Sequence, residues 1–228
     1  MRNDLFDIKI VFNRSVEKSI DSAKIVQREL QIEGFDAELV DGIWRDESIQ
    51  ISREMGLRIG NFDRRYARLD SVVGCFLSHF LIWSKLSTPT IILEHDARLH
   101  DLSEFVVFVD RNRNVIEREQ IIMNIGHPSY GRFNLKDNPG PYKLFSKDGG
   151  YFPGTHAYFM SARGAALAVA TVNDSGILPA DLFFCRDIFA DLLEFYPWPF
   201  TCSDNFTTVQ QLTGCIAKHN FTEKFVIV

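Results

Sequence analysis

The stretch from Asp7 to Asp41 constrains the fold more than any other part of this chain. Asp7-Ile8-Lys9-Ile10-Val11-Phe12 is rich in β-branched and apolar residues and partly alternates, which predicts a strand. Asn13-Arg14-Ser15 punctuates it, and a helical pattern follows with Ile20, Ala23, Gln27 and Leu30 near one face. Gly34 can end that helix, after which Phe35-Asp36-Ala37-Glu38-Leu39-Val40 alternates again up to the Asp41-Gly42 turn. Strand, helix and strand in succession make a β-α-β unit, which usually has parallel strands and a right-handed crossover. Such a unit brings the loop after Phe12 and the turn at Asp41 to one edge of a sheet, where ligands collect in open α/β folds. Asn13, Arg14 and Asp41 are therefore candidates to face a nucleotide.

A second strand end adds chemistry. Thr90-Ile91-Ile92-Leu93 reads as a buried strand, and Glu94-His95-Asp96 closes it with three side chains of metal-ligating type. Carboxylates at a strand's carboxyl end can hold a divalent cation against a diphosphate, although the same tripeptide also suits a solvated loop. Between the two regions, residues 43–69 are polar and arginine-rich, a loop region with short helices in which Arg64-Arg65 reads as a solvated pair. Ser71 is placed to cap a helix running through Val72, Phe76, Phe80 and Trp83, apolar nearly all round and so buried.

Further along, a helical segment near Ser103 to Asp110 precedes the apolar run Ile121 to Ile125, a strand stopped by Gly126-His127-Pro128. Gly131 to Gly150 is rich in Gly, Pro, Asn and Lys and reads as a long surface connection able to serve as a lid. Thr155 to Met160 predicts a strand, Ser161 a cap, and Ala162 to Val169 a small-residue helix. Asn173 to Pro179 reads as a turn, Ala180 to Phe184 as a helix with Asp181 near its start, and Phe225 to Val228 as a last strand. No linker, repeat or low-complexity tract divides the chain, so one α/β domain over residues 1–228 is the simplest organisation.

The composition bounds the partners. A chain of 228 residues can bury about 70% of its unfolded surface, and 20 Phe supply material for the core. A formal net charge of -5 gives no support for nucleic acid or an anionic membrane as a general electrostatic partner. Cys75, Cys185, Cys202 and Cys215 form no CxxC pair and read as reduced thiols. The first residues lack a signal-peptide pattern, and no run reaches the ~18 apolar residues that span a bilayer. A cytoplasmic protein with at most peripheral membrane contact is expected.

Three features then occur in order: Gly74-Cys75-Phe76-Leu77-Ser78-His79 with Trp83 beyond, Ile91 through Asp96, and Gly154-Thr155-His156-Ala157-Tyr158 followed by Gly164-Ala165. Together they resemble glycosyltransferase family 25, which contains bacterial lipooligosaccharide galactosyltransferases and collagen galactosyltransferases. That family's pattern has Gly-Cys-x-x-Ser-His, a strand ending Glu-Asp-Asp, and a later Tyr-containing strand before Gly-Ala. The resemblance runs from about Ile8 to Asp181 and includes Val40-Asp41-Gly42 and Leu178-Pro179-Ala180-Asp181. It implies a GT-A type, Rossmann-type fold with a mixed, mainly parallel central sheet flanked by helices. It also implies an inverting sugar transfer, often of galactose, from a nucleotide-diphosphate donor to a glycan or glycolipid hydroxyl.

His95 departs from the pattern, because the family has an acid there. If the ion depends on the outer acids, Glu94 and Asp96 keep their oxygens, and neutral imidazole can itself ligate manganese, the expected metal. If the central acid is essential, the chain is a silent carbohydrate- or nucleotide-binding module. By the resemblance Asp96 is the first choice of ligand, with Glu94 and His95 beside it, and Asp181 is the catalytic base by motif position. His79 either orients a donor phosphate or the acid-bearing strand, or is a hydrogen-bonded structural histidine. His156 is a weaker metal-ligand candidate, whereas Cys75 and Trp83 read as packed helix residues. A phosphoesterase is disfavoured by the lack of a second tight His/Asp cluster.

Overall fold

The computed structural model describes residues 4–62, 68–128, 132–133, 136–144, 150–203 and 226–227. Its first half contains β1 (Asp7–Phe12), α1 (Glu17–Ile32), β2 (Glu38–Asp41), α2 (Arg45–Glu54), α3 (Leu69–Trp83), β3 (Thr90–Glu94) and β4 (Ala97–Leu99). There follow α4 (Ser103–Arg111), α5 (Arg113–Arg118), β5 (Ile122–Asn124), β6 (Arg132–Phe133) and β7 (Gly140–Lys143). The remaining elements are β8 (Ala157–Met160), α6 (Ala162–Ser175), α7 (Ala180–Phe183), β9 (Leu193–Tyr196), β10 (Phe200–Cys202) and β11 (Val226–Ile227).

Seven strands form the central sheet in the order β2-β1-β3-β8-β5-β9-β7. β1 pairs in parallel with β2 and with β3, and β5 pairs in parallel with β9. β8 lies antiparallel between β3 and β5, and β7 forms an antiparallel edge on β9. Five strands thus run one way and two the other, giving the mixed, mainly parallel, Rossmann-like sheet of a GT-A fold. β10 pairs with β4 and β11 with β6 in two small sheets.

Alternation along each strand divides the core between the two faces. Ile91 and Leu93 of β3 join Ile8, Ile10, Met123 and Phe159 in a cluster completed by Val26 and Leu30 of α1 and Phe105 of α4. Ile92 points the other way, with Val11, Ile122, Tyr158 and Met160, onto Val73, Phe76 and Leu77 of α3, Ala165 of α6 and Phe183 of α7. Glu94 follows Ile92 by two residues and so emerges on the α3 side of the sheet.

Several boundaries depart from the sequence pattern. α3 starts at Leu69, with Arg68 at the capping position, so Ser71 lies inside the first turn. Asp70 takes over the end: its Oδ1 accepts from the Ser71 amide at 2.7 Å, and Arg68 pairs with its Oδ2 at 3.1 Å. α2 is one of the short helices expected between residues 43 and 69, with bounds the sequence did not mark. β7 lies in the expected surface connection, where Pro141 is tolerated because the strand is an edge. α6 runs past Asn173 to Ser175 and stops at Gly176, whose φ of 73° suits glycine. The Arg64-Arg65 pair lies outside the described residues, as do parts of the expected lid.

Candidate active site

β1, β2 and β3 are parallel, so their carboxyl ends meet along one edge, and α3 crosses in front of them. The space between is a small cleft, open to solvent, lined among others by Asn13, Gly42, Trp44, Arg45, Cys75, His79, Glu94 and His95. Its wall depends on one turn of α3. Ser78 Oγ donates to the Gly74 carbonyl at 2.7 Å and accepts from the Ile43 amide at 2.8 Å, pinning the loop after β2 to the helix. A Cβ on Gly74 would stand 2.7 Å from the Ile43 carbonyl, and one on Gly42 2.9 Å from Ser78 Oγ. Ser78 is thus a structural pin.

The next face of the same turn carries Cys75 and His79. His79 is 1% exposed, and its Nδ1 lies 2.8 Å from the Tyr158 hydroxyl, which also accepts from Trp83 Nε1 at 2.8 Å. Its Nε2 lies 3.3 Å from Glu94 Oε1, and Thr155 Oγ1 donates to that same oxygen at 2.5 Å. Burial alone would raise the Glu94 carboxyl, but the hydrogen bond and charge of His79 and the bond from Thr155 outweigh it and hold the group well below the usual carboxylate range. Glu94 is therefore an anchored anion. His95, in the turn between β3 and β4, has its pKa lowered by burial and by Arg98 against the opposing pull of Glu94, so its imidazole is neutral near pH 7.

Asp181, in the first turn of α7, joins this neighbourhood. Burial and the charge of Glu94 push its carboxyl up to about 6, against a hydrogen bond from the Leu182 amide. The Cys75 thiol is raised by burial and then by Glu94, Asp181 and Asp96, so all three carboxylates bear on one sulfur. Sequence positions more than 80 residues apart are thereby gathered at one strand edge.

The remaining sequence candidates are placed differently. Asn13 lines the cleft, but its Oδ1 accepts from the Ser15 amide at 2.9 Å and shapes the turn. Arg14 and Asp41 clasp each other, with Arg14 Nε 2.9 Å from Asp41 Oδ2 and the Arg14 amide 3.1 Å from Oδ1. His156 is buried between glycines: a Cβ on Gly126 would come within 2.3 Å of its Nε2 and one on Gly154 within 3.0 Å of its Nδ1. Trp44, Arg45, Thr155 and Cys75 had no assigned role at the cleft. Arg45 stacks 4.9 Å from the Trp44 ring centre, an aromatic and a cation directly after a strand-end turn. That placement was the available signal for both, as the i, i+4 spacing was for Cys75 and His79.

An α/β fold with a polar cleft on the carboxyl edge of its parallel strands defines the class. The sequence profile of Glycosyltransferase family 25 (LPS biosynthesis protein) matches residues 9–184, the span that builds the cleft. A relative in Drosophila pseudoobscura pseudoobscura, described as "Glycosyltransferase 25 family member", is 29% identical over 167 residues, covering 68% of this chain and 25% of the relative. The chain belongs to glycosyltransferase family 25. It spans about a quarter of the length of that curated relative.

Proposed function

We propose that this chain is a single glycosyltransferase domain that moves a sugar, galactose first among candidates, from a nucleotide-diphosphate donor to a hydroxyl of a glycan or glycolipid. The supporting observation is the joining of an ionised Glu94 with a second, proton-hungry carboxyl, Asp181, beside a strand-end cleft. Asn13, Trp44 and Arg45, which line the cleft, would hold the nucleoside and its phosphates, with the Arg14–Asp41 pair bracing the adjoining turn. His79 positions Glu94.

Glu94 and Asp96 offer oxygens, and His95 a neutral nitrogen, a donor set that fits manganese better than magnesium. Bound there, the cation supplies charge stabilisation to the departing diphosphate. Asp181 takes the proton from the acceptor hydroxyl as that oxygen bonds the anomeric carbon and the bond to diphosphate breaks. Attack from the face opposite the leaving group inverts the configuration, and the proton ends on Asp181. A cytoplasmic setting with peripheral access to lipid-linked acceptors belongs to the same proposal. Its support is that Cys75 and Cys185 are free thiols and that no described helix is long and apolar enough to cross a membrane.

One observation favours a second reading, a silent binding module: His95 replaces the family's central acid. A nucleotide-release screen separates the two, using UDP-, GDP- and CMP-sugars with manganese, magnesium or chelator on wild type and Asp96→Ala. Metal-dependent release from one donor, lost in Asp96→Ala, is the expected result. Donor binding without release under any condition would assign the silent module.

A further inference from the structure

We propose that Cys75, His79 and Glu94 form a binding site for a thiophilic divalent cation, zinc above all, which shares only Glu94 with the Glu94-His95-Asp96 set. Cys75 Sγ, a ring nitrogen of His79 and a carboxylate oxygen of Glu94 all lie within 4.8 Å of one another. Zinc bonds of about 2.3 Å to sulfur and about 2.0–2.1 Å to nitrogen and oxygen place tetrahedral ligand atoms about 3.3–3.6 Å apart. His79 Nε2 and Glu94 Oε1 already stand 3.3 Å apart, and the Cys75 sulfur, within 4.8 Å of its partners, has to approach by no more than about 1.2 Å to close the set.

Three further features support a cation there. His79 is 1% exposed, and its Nε2 points into the cluster, 3.3 Å from Glu94 Oε1. Its other nitrogen meets the Tyr158 hydroxyl, whose two lone pairs can accept from Trp83 Nε1 and from His79 Nδ1 together. With an ion bound, Nε2 would give its lone pair to the metal and the ring proton would sit on Nδ1 facing Tyr158, the outer-shell arrangement that orients metal-binding histidines. Finally, all three side chains line the solvent-open cleft, which gives an ion a way in. The cleft that these side chains line leaves the fourth ligand position to water.

The thiol matters for selectivity. Sulfur draws zinc or cobalt(II) far better than magnesium or manganese, and the thiol proton is released to solvent as the metal–sulfur bond forms. Since Glu94 belongs to both ligand sets, zinc at Cys75 withdraws a carboxylate from manganese and should inhibit transfer. That last consequence rests on the proposed function, whereas zinc binding itself does not.

The test is titration of the reduced protein with cobalt(II) alone, followed by absorption, with zinc added afterwards as competitor. A near-ultraviolet thiolate-to-cobalt band saturating at one equivalent, erased by zinc and absent in Cys75→Ser and Cys75→Ala of unchanged circular dichroism, is expected. Glu94→Gln should weaken cobalt binding about tenfold or more. No band in the wild type, or a band that persists in both folded Cys75 variants, overturns the site. A silent transferase assay does not, because the spectrum reads the metal directly.

Discussion

Glu194 shows how one buried carboxylate can set the pH response of the whole chain. It is 3% exposed, and its Oε1 accepts from Trp198 Nε1 at 2.6 Å and Asn124 Nδ2 at 3.2 Å, while Oε2 has no hydrogen-bond partner among the described residues. Burial raises its pKa to about 7 against those two bonds and Lys136. The unfolded chain gives up this proton first, so the contribution to stability is full below about pH 4.5 and is lost as pH rises through about 7. Glu194→Gln should therefore gain about 3 kcal/mol over wild type at pH 8 and little at pH 4, read by urea unfolding at both values. Asp181, the proposed base, gives a second pH response. With its carboxyl raised to about 6, kcat/KM should climb as pH rises through 6. Asp181→Asn should lower it by about 10²–10⁴-fold and remove that limb of the profile, as measured by nucleotide release.

Among the elements, α6 and α3 show what a single side chain can fix. Ser161 Oγ accepts from the Gly164 amide at 2.9 Å and from the Ile121 amide at 3.0 Å, and donates to the Glu119 carbonyl at 2.6 Å. It caps α6 and ties the helix to the start of β5. Ser161→Ala should cost about 2 kcal/mol in chemical denaturation, since it loses the cap and orphans a buried amide. That cap was legible in the sequence because Ser stood directly before a run of small helix formers. The bounds of α2, one of the short helices expected there, were not, because its buried side uses Ser48 and Ser52, polar residues that break the apolar period. Ser48 Oγ finds the Asp70 carbonyl at 2.7 Å, a partner that only the tertiary structure supplies. The four-residue run of β8 was legible as a strand, yet Ala157 to Met160 is buried on both faces and carries no sign of its direction.

Across the whole molecule, the order of strands decides which candidates meet. The opening β-α-β unit was readable from its two periodicities, and it fixed Asn13, Arg14 and Asp41 at one sheet edge, with β3 delivering Glu94 beside them. The pairing of Arg14 with Asp41 and the approach of Asp181 to Glu94 were not readable. Both depend on contacts between chain segments that no local pattern encodes. Likewise, the i, i+4 pair of Cys75 and His79 gains meaning only once β3 sets Glu94 against it. The most direct measurement of whether this edge is the nucleotide-diphosphate site is calorimetric titration of UDP with manganese into wild type and Glu94→Gln. Gln keeps an oxygen to accept from Thr155 but loses the charge. The expected result is binding by the wild type, weakened about tenfold or more, some 1.4 kcal/mol, in Glu94→Gln. Equal affinity in the two proteins, or no binding by the wild type, would contradict it.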